Sequence, residues 1–381
     1  MIRKLSEKDF EQSIKLSEYA FQYSVPENEL EIRKERMKYH IVWGHFDGDE
    51  LTSKLHLFPL HIFQGTQELA MGGIAGVSTW PERRRGGNVT KLLTVAMEHM
   101  KEQGQTVSFL HPFDVAFYRR FGWELTFSLK KYTIEKSQLH FMDKVPGEIR
   151  RVDLKNNLPI LNELYEKFAQ RFNGMLKRDT YWWENHVESE GFHFAVYFNE
   201  KGEPRGYLFY QIKDKVMDVQ EMIYLDHEAR KGLWNFICQH DSMIEKVKMV
   251  VPENDELPYL LKNPKIKIEV EPYFMARIVD VHQYLNIIKL NELEESLVLH
   301  VQDSFAEWNN ISLEIKNGLV KETTKEAPGV TLDIQTLSAL MFGAQPVYFL
   351  VEAEKIQGTA EAIHLLEKVI PKREPSILDF F

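Results

Sequence analysis

A strand that runs directly into a glycine-containing turn and a helix constrains the fold of this chain more than any other segment. Residues 72–80 read GGIAGVSTW, the turn that follows reads PERRRGG, and residues 87–103 have the apolar spacing of a helix with one buried face. Gly104 is expected to end this helix, and residues 106–110 are predicted to form a short strand. Upstream, the sequence predicts two helices and then the strands 40–46, 51–63, 67–71 and 74–80.

The turn at residues 81–90 has the features of a diphosphate-binding site. The first amides of a helix have no partners inside the helix, the helix dipole favours an anion there, and glycines allow close approach. Arg83, Arg84 and Arg85 add positive charge at the same place. An ordinary basic connection between a strand and a helix would look the same. The turn has neither the Gly-Lys-Ser/Thr of a P-loop nor G-x-G-x-x-G, and Ser78 lies outside a G-x-S-x-G context.

Length, charge and the counts of cysteine and histidine limit the number of domains and the kinds of ligand that this protein can have. With 381 residues, two or three domains are expected. The 47 basic and 57 acidic residues give a net charge of −10, which argues against a nucleic-acid partner and is compatible with cationic substrates. The lone Cys238 excludes an internal disulfide framework, and the fourteen histidines form no HExxH motif, so no metal site is expected. We expect a cytoplasmic protein without a secretory signal, a membrane span or a membrane partner.

A weaker copy of the first pattern follows later in the chain. Residues 192–212 are predicted to form a hairpin, 217–225 a strand and 226–240 a helix, and the second turn reads HEARKG where the first reads PERRRGG. This copy is not expected to bind the same ligand.

A third unit begins near residue 287, with a strand at 297–301, a turn at Asn317-Gly318 and a helix at 334–342. The chain ends on Phe380 and Phe381, and two aromatic rings at a terminus are expected to be docked against the protein.

The segment after strand 106–110 reads HPFD and then AFYRRFGW. Together with R-x-x-G at residues 83–86, it resembles the GNAT N-acetyltransferase superfamily. The whole chain resembles more particularly the Eis (enhanced intracellular survival) family, through RRRG, YRRFGW, the run at 275–281 and the aromatic terminus. The resemblance implies a mixed α+β chain of tandem GNAT folds followed by a sterol-carrier-like α/β domain. Its boundaries would be 1–145 for the active GNAT domain, 146–285 for a degenerate GNAT domain, and 286–381 for a third domain whose carboxy terminus docks in the active site.

The resemblance also implies roles for individual residues. Tyr118 would donate a proton, and the terminal carboxylate of Phe381 would accept one. The acetyl-CoA site would comprise Val77, Ser78, Thr79, Arg85, Gly86, Gly87, Asn88, Val89 and Thr90, with Phe113 and Asp114 beside the thiol end. A tyrosine with an ordinary pKa near 10 stays protonated at neutral pH and can donate. Residues 72–80 contain no Asp, Glu or His, so a base from elsewhere is needed. Tyr118 as a structural tyrosine and Phe381 as a hydrophobic anchor remain the alternatives.

The hypothesis is therefore an N-acetyltransferase with acetyl-CoA as co-substrate and no metal. A primary amine of a small cation, aminoglycoside-like or polyamine-like, would attack directly in a ternary complex, and the resemblance implies a homohexamer. Cys238 lies in the second copy, which disfavours an acetyl-cysteine intermediate. The alternatives from other classes are a lipid carrier that uses the third domain and an inactive CoA-binding scaffold.

Overall fold

The computed structural model describes residues 1–188 and 190–381. The first group of elements is β1 (Ile2–Lys4), α1 (Phe10–Phe21), α2 (Leu30–Arg36), β2 (Ile41–Asp47), β3 (Glu50–Gln64), β4 (Gln67–Thr79), α3 (Asn88–Glu102), β5 (Val107–Leu110), α4 (Val115–Arg119), β6 (Glu124–Leu125) and β7 (Ser128–Glu135). The second group is β8 (Glu148–Val152), α5 (Leu154–Ala169), β9 (Asn173–Leu176), α6 (Thr180–Trp182), β10 (His193–Phe198), β11 (Pro204–Lys213), β12 (Val216–Tyr224), α7 (His227–Cys238), β13 (Lys246–Pro252), α8 (Leu257–Leu260), β14 (Lys267–Pro272), β15 (Met275–Ile278) and α9 (Val281–Ile287). The third group is β16 (Leu297–Gln302), β17 (Ser312–Lys316), β18 (Leu319–Glu322), β19 (Val330–Asp333), α10 (Ile334–Phe342), α11 (Val347–Glu352), β20 (Ile356–Gln357) and α12 (Ala360–Val369).

These strands form three sheets, which confirms a mixed α+β chain of three units. The first sheet has the order β1-β2-β3-β4-β5-β15-β6, with β9 paired to β3. The second has the order β14-β7-β13-β12-β11-β10-β8, and the third β18-β17-β16-β19-β20. In the first two sheets, one parallel pair (β4 with β5, β12 with β13) is connected by a helix, α3 or α7. Because the same arrangement occurs twice, the predicted duplication is a duplication of the fold.

The helix that follows the glycine turn is confirmed to within one residue at each end. Its apolar positions Leu92, Leu93, Ala96, Met97 and Met100 are all buried. The predicted break between strands 67–71 and 74–80 is wrong, because Gln67–Thr79 forms a single strand. Gly72 and Gly73 lie within this strand where neighbouring groups come close. A side chain at Gly72 would collide with Met100 of α3, and one at Gly73 with the ring of Phe381.

Two strands cross between the first and second units. β7 pairs with β13 and β14 in the second sheet, whereas β15 lies between β5 and β6 in the first sheet. All four residues of β15 are buried, so the first sheet depends on a strand that comes 150 or more residues after its neighbours β5 and β6. The domain boundaries at 145 and 285 stay a prediction. By residue number β7 falls in the first predicted domain and β15 in the second, but each strand pairs in the sheet of the other domain.

The third unit builds its core around α10, in which every residue except Gln335 is buried. This helix has the bounds that the sequence predicted, and Asn317-Gly318 connects β17 to β18 as expected. Among the helices of residues 1–188 and 190–381, none is both long and apolar enough to cross a bilayer.

Candidate active site

The candidate site begins where β4 and β5 separate. The two parallel strands pair from Met71 with Val107 to Ile74 with Leu110, and β4 then continues alone on that side to Thr79. The pairing of β4 with β3 shifts register at the same level, and Gly76 has a positive φ of 56°. This bulge turns the last residues of β4 away from β5. The sheet therefore opens into a cleft with one free strand edge.

The turn after β4 presents backbone amides at the mouth of this cleft. Arg85 and Gly87 have φ values of 63° and 75°, and α3 follows Gly87 without a side-chain cap. The first hydrogen bond at the start of this helix runs from Lys91 N to Gly87 O at 3.1 Å. The amides of Asn88, Val89 and Thr90 therefore have no acceptor within the helix. An anion held there would be stabilised both by these donors and by the helix dipole.

The side chains around this turn divide into paired and free groups. Arg83 pairs with Asp47 at 3.2 Å and with Glu50 at 3.3 Å, and Arg84 donates from Nε to the Thr79 carbonyl at 3.4 Å, whereas Arg85 is exposed. The Thr79 hydroxyl is buried and has no hydrogen-bond partner among the described residues. An unsatisfied hydroxyl at the end of the free strand edge fits a ligand that supplies the missing partner.

The remaining predicted cofactor contacts lie along the same path. Val77 is half-buried, Ser78 is buried and donates from Oγ to the Gly76 carbonyl at 3.2 Å, and Gly86 is exposed in the turn. Asn88 donates from Nδ2 to the Ser53 hydroxyl at 3.3 Å. The structure thus brings residues 77–79 and 85–90 together as one continuous strip.

Phe113 and Asp114 lie beyond β5, at the other side of the cleft. The Phe113 ring is 69% exposed. The Asp114 carboxylate accepts a hydrogen bond from Phe117 N at 3.0 Å and so caps α4. This capping role was not predicted. It explains an acidic residue here, because the cap starts the short helix that carries Tyr118.

Tyr118 belongs to the apolar cluster that closes the inner end of the cleft. Its side chain is 2% exposed and shares this cluster with Ile74 and Leu110, the last paired residues of β4 and β5. The ring lies 5.3 Å from Phe113 and 5.1 Å from Phe117, measured between ring centroids. Burial raises the pKa of Tyr118, so the phenol keeps its proton at any physiological pH.

The chain terminus approaches the same point from the opposite face of the sheet. A side chain built on Gly73 would meet the ring of Phe381, whereas one on Gly72 would meet α3. The Phe381 ring also lies 4.9 Å from Phe274 and 6.2 Å from Phe58. Of the two terminal rings, Phe381 is half-buried against these side chains, whereas Phe380 is 59% exposed. Tyr118 and Phe381 therefore reach the opening of β4 and β5 from different faces.

A buried ionic cluster holds the residues just before the terminus. Asp379 accepts from Arg178 Nε at 2.9 Å, from Trp182 Nε1 at 2.7 Å and from Tyr165 at 3.1 Å. Arg178 also pairs with Glu221 of β12, and Tyr207 donates to that carboxylate at 2.6 Å. Sequence reasoning missed this cluster. The only local signal is an aspartate in the otherwise apolar ending ILDFF.

The corresponding turn of the second unit differs at the helix start. The Asp226 carboxylate accepts from Ala229 N at 2.8 Å and from Arg205 Nε at 2.8 Å. A carboxylate therefore already satisfies the amide end of α7, and it would repel a phosphate. The opening of this second sheet instead contains a cavity of about 260 Å³, lined in part by Arg171 and Arg230. The carboxylate at the helix start favours the expectation that the second copy does not bind the same ligand, which stays a prediction.

Each of the three units matches a known protein family. Residues 1–126 and 174–278 each match an acetyltransferase (GNAT) domain, and residues 281–378 match a sterol carrier protein domain. An uncharacterised N-acetyltransferase of Streptomyces avermitilis is 26% identical over 329 residues, which cover 79% of this chain and 78% of that protein.

Solved structures share the whole arrangement. A probable N-acyltransferase of Enterococcus faecalis, a conserved protein of unknown function, has a TM-score of 0.94 at 25% identity, covering 100% of this chain and 99% of its own. Eis1 of Mycobacterium abscessus has the same fold, with a TM-score of 0.83 at 20% identity and full coverage of both chains. With two GNAT domains, a sterol carrier protein domain and an N-acetyltransferase relative along most of its length, the chain belongs to the GNAT acyltransferases.

Proposed function

We propose that this protein transfers the acetyl group of acetyl-CoA to a primary amine of a small cationic molecule, by direct attack in a ternary complex. One observation carries the proposal. At the point where β4 and β5 separate, Tyr118 lies on one face of the sheet and Phe381 on the other. A thioester held between the strands would then have a proton donor on one side and a carboxylate-bearing terminus on the other.

The strip of residues 77–79 and 85–90 would hold the cofactor, with its diphosphate on the free amides at the start of α3. Phe113 and Asp114 lie across the cleft, on the side proposed for the thiol end. The amine nitrogen attacks the carbonyl carbon, the carbon–sulfur bond breaks, and Tyr118 protonates the leaving thiolate. The amine loses its proton to the carboxylate of Phe381. No metal takes part in these steps.

Aromatic side chains near the terminus support a cationic acceptor. The Phe381 ring lies 6.2 Å from Phe58 and 6.3 Å from Trp182, measured between ring centroids. The faces of such rings attract ammonium groups, and the net charge of −10 favours their approach. An aminoglycoside or a polyamine carries several primary amines of this kind.

The likeness to Eis1 and the earlier motif resemblance support membership of the Eis family, a homohexameric assembly and a cytoplasmic location as parts of the same proposal. Light scattering of the purified protein checks the assembly. A mass six times the 44.9 kDa of one chain is expected, and a monomer would remove that part of the proposal only.

Thiol release from acetyl-CoA, measured over a panel of aminoglycosides, polyamines and neutral amines, tests the activity. Amine-dependent release that favours the multiply charged amines is expected. Acetyl-CoA binding without release for any amine would favour a CoA-binding scaffold, and sterol binding without CoA binding would favour a lipid carrier.

The role of Phe381 has its own matched test. A terminal peptide ligated as the amide is compared with the same peptide ligated as the free acid, so that only the carboxylate differs. A large loss of turnover in the amide is expected. Equal turnover would remove Phe381 as the proton acceptor and leave the acetyltransferase activity in place.

A further inference from the structure

A buried lysine without a carboxylate partner lies beside the candidate site. Lys54 of β3 is 1% exposed, and its ammonium donates to the Ser13 hydroxyl at 2.9 Å and to the Ser17 hydroxyl. Both serines are buried on α1. Among the described residues, no Asp or Glu forms an ion pair with Lys54, although burying an unpaired charge is costly. The buried Lys54 therefore lowers the stability of the fold, and its presence points to a role other than stabilisation.

The third contact of Lys54 begins a continuous chain of hydrogen bonds. Lys54 Nζ lies 2.9 Å from His56 Nε2, and His56 Nδ1 lies 2.8 Å from His40 Nε2. Both ring nitrogens of His56 are therefore used, and His40 is the outer residue of these hydrogen-bonded groups. A histidine that is bonded through both nitrogens can pass a proton from one side to the other.

This chain leads from the protein interior to the candidate site. The His56 ring occupies the space that a side chain at Gly76 would need, since a Cβ there would lie 2.8 Å from His56 Cδ2. Gly76 is the bulge residue of β4. At the other end, His40 stacks on Phe58 at 4.1 Å, and Phe58 contacts Phe381. Lys54, His56 and Phe58 alternate along β3 and so share the face on which the terminus docks.

We propose that His40, His56 and Lys54 form a proton relay for the acyl-acceptor side of this site. The proposal rests on acetyl transfer to an amine as the activity. A proton that arrives at His40 Nδ1 releases the proton on His40 Nε2 to His56 Nδ1. His56 then gives its Nε2 proton to the neutral amine of Lys54. One proton enters and is stored as the Lys54 ammonium, no heavy-atom bond changes, and the reverse steps return the proton.

The reaction supplies a proton for such a relay. An amine that attacks a thioester must lose a proton, and an ordinary terminal carboxylate, with a pKa near 3.5, holds one poorly at neutral pH. Burial lowers the pKa of Lys54 to about 7, which suits uptake and release under those conditions.

The surroundings of His40 and His56 lower the pKa of both imidazoles, so that the stored proton stays on Lys54. Burial, then Lys54 and then His186 lower the pKa of His40 to about 4, while a hydrogen bond to the backbone of Arg36 acts in the opposite direction. Burial, Lys54 and His40 lower the pKa of His56. The two serines of α1 are neutral. The imidazoles therefore pass the proton on without becoming stable imidazolium ions.

Nitrogen-15 NMR of histidine-labelled protein tests the relay without any substrate. When Lys54 is an ammonium, His56 carries its proton on Nδ1, and when Lys54 is neutral, His56 carries it on Nε2. We expect this tautomer exchange with a midpoint near pH 7, and its loss in Lys54→Met but not in Lys201→Met, which changes an exposed lysine. A His56 tautomer that stays constant from pH 5 to 9, or an exchange that persists in Lys54→Met, would overturn the relay.

Kinetics with an accepted amine provide the second test. We expect His40→Ala to lower turnover at pH 7 at least tenfold, with recovery of activity on addition of imidazole. The matched variant His45→Ala removes a histidine that hydrogen-bonds Thr52 and takes no part in the relay, so we expect little change in turnover. An unchanged pH profile in His40→Ala would contradict the relay. A wild-type protein that acetylates no amine would instead contradict the proposed function, and NMR would still decide the proton chain.

Discussion

Arg178 and Asp379 form an ion pair that is almost completely buried, with Nε to Oδ1 at 2.9 Å and side-chain exposures of 1% and 2%. The arginine follows β9 of the second unit, and the aspartate is the third residue from the end of the chain. Tyr273 fixes the same place by donating to the Asp379 carbonyl at 3.0 Å. The second GNAT unit, whose own helix start is closed by Asp226, thus helps to position the terminus at the cleft of the first.

Replacing Asp379 by asparagine should loosen the terminus. The side chain keeps its shape but loses the charge that Arg178, Trp182 and Tyr165 bind, so we expect unfolding to become easier by about 1–3 kcal/mol. Turnover should fall about tenfold, and carboxypeptidase should release Phe381 faster. Glu374→Gln, at an exposed position of the same segment, is the control. Wild-type proteolysis and turnover in Asp379→Asn would show that the pair does not position the terminus.

Removing the hydroxyl of Tyr118 should affect chemistry far more than folding. In Tyr118→Phe we expect turnover to fall by about 10²–10⁴, the usual range for a lost general acid, with nearly unchanged acetyl-CoA affinity. Because burial raises the pKa of Tyr118, deprotonation of this group should cause no loss of wild-type rate up to pH 10. The exposed Tyr348 provides the control Tyr348→Phe. Turnover within threefold of wild type in Tyr118→Phe would exclude it as the acid.

Arg83 and Arg85 of the turn should differ in their effects on cofactor binding. The Arg83 guanidinium is already paired with Asp47 and Glu50, whereas Arg85 is exposed beside the free amides. We therefore expect Arg85→Gln to weaken acetyl-CoA binding about tenfold, or about 1.4 kcal/mol, and Arg83→Gln to change it much less. Titration calorimetry at two salt concentrations measures both. Equal effects of the two substitutions would argue against a specific diphosphate contact at residue 85.

The buried Lys54 should make stability depend on pH. Its pKa of about 7 in the native state lies below the ordinary 10.5, so between these values the unfolded chain binds more protons. The native state then gains stability as the pH rises from 7 to 10.5. Lys54→Met removes this dependence, so its gain in stability should be largest below pH 7 and vanish near pH 10.5. Denaturant unfolding at pH 6, 8 and 10 measures it, and a gain that is equal at all three would contradict a depressed pKa.

Patterns within short stretches of the sequence were sufficient to predict those elements that form from residues close together in the chain. The apolar spacing of residues 88–102 marked α3, and Asn317-Gly318 marked a hairpin turn. The glycines and arginines of the first turn, together with the YRRFGW segment, indicated the acetyltransferase family that the comparisons bear out. Each of these signals is contained in one continuous segment of at most 15 residues.

The rest depends on contacts between distant residues. Arg178 and Asp379 are 201 positions apart, and Lys54 meets Ser13 across 41 positions. The place of β15 between β5 and β6 follows from pairing across 150 or more residues, which no local spacing encodes. Gly72 and Gly73 suggested a break because their role as contact points for Met100 and Phe381 appears only in the folded chain.

A crystal structure of the protein with acetyl-CoA tests the cofactor geometry most directly. The diphosphate should lie against the amides of residues 85–90, and the thioester should lie between β4 and β5, within reach of the Tyr118 hydroxyl. Acetyl-CoA bound in the second unit instead, or a thioester that points away from Tyr118, would contradict the proposed site.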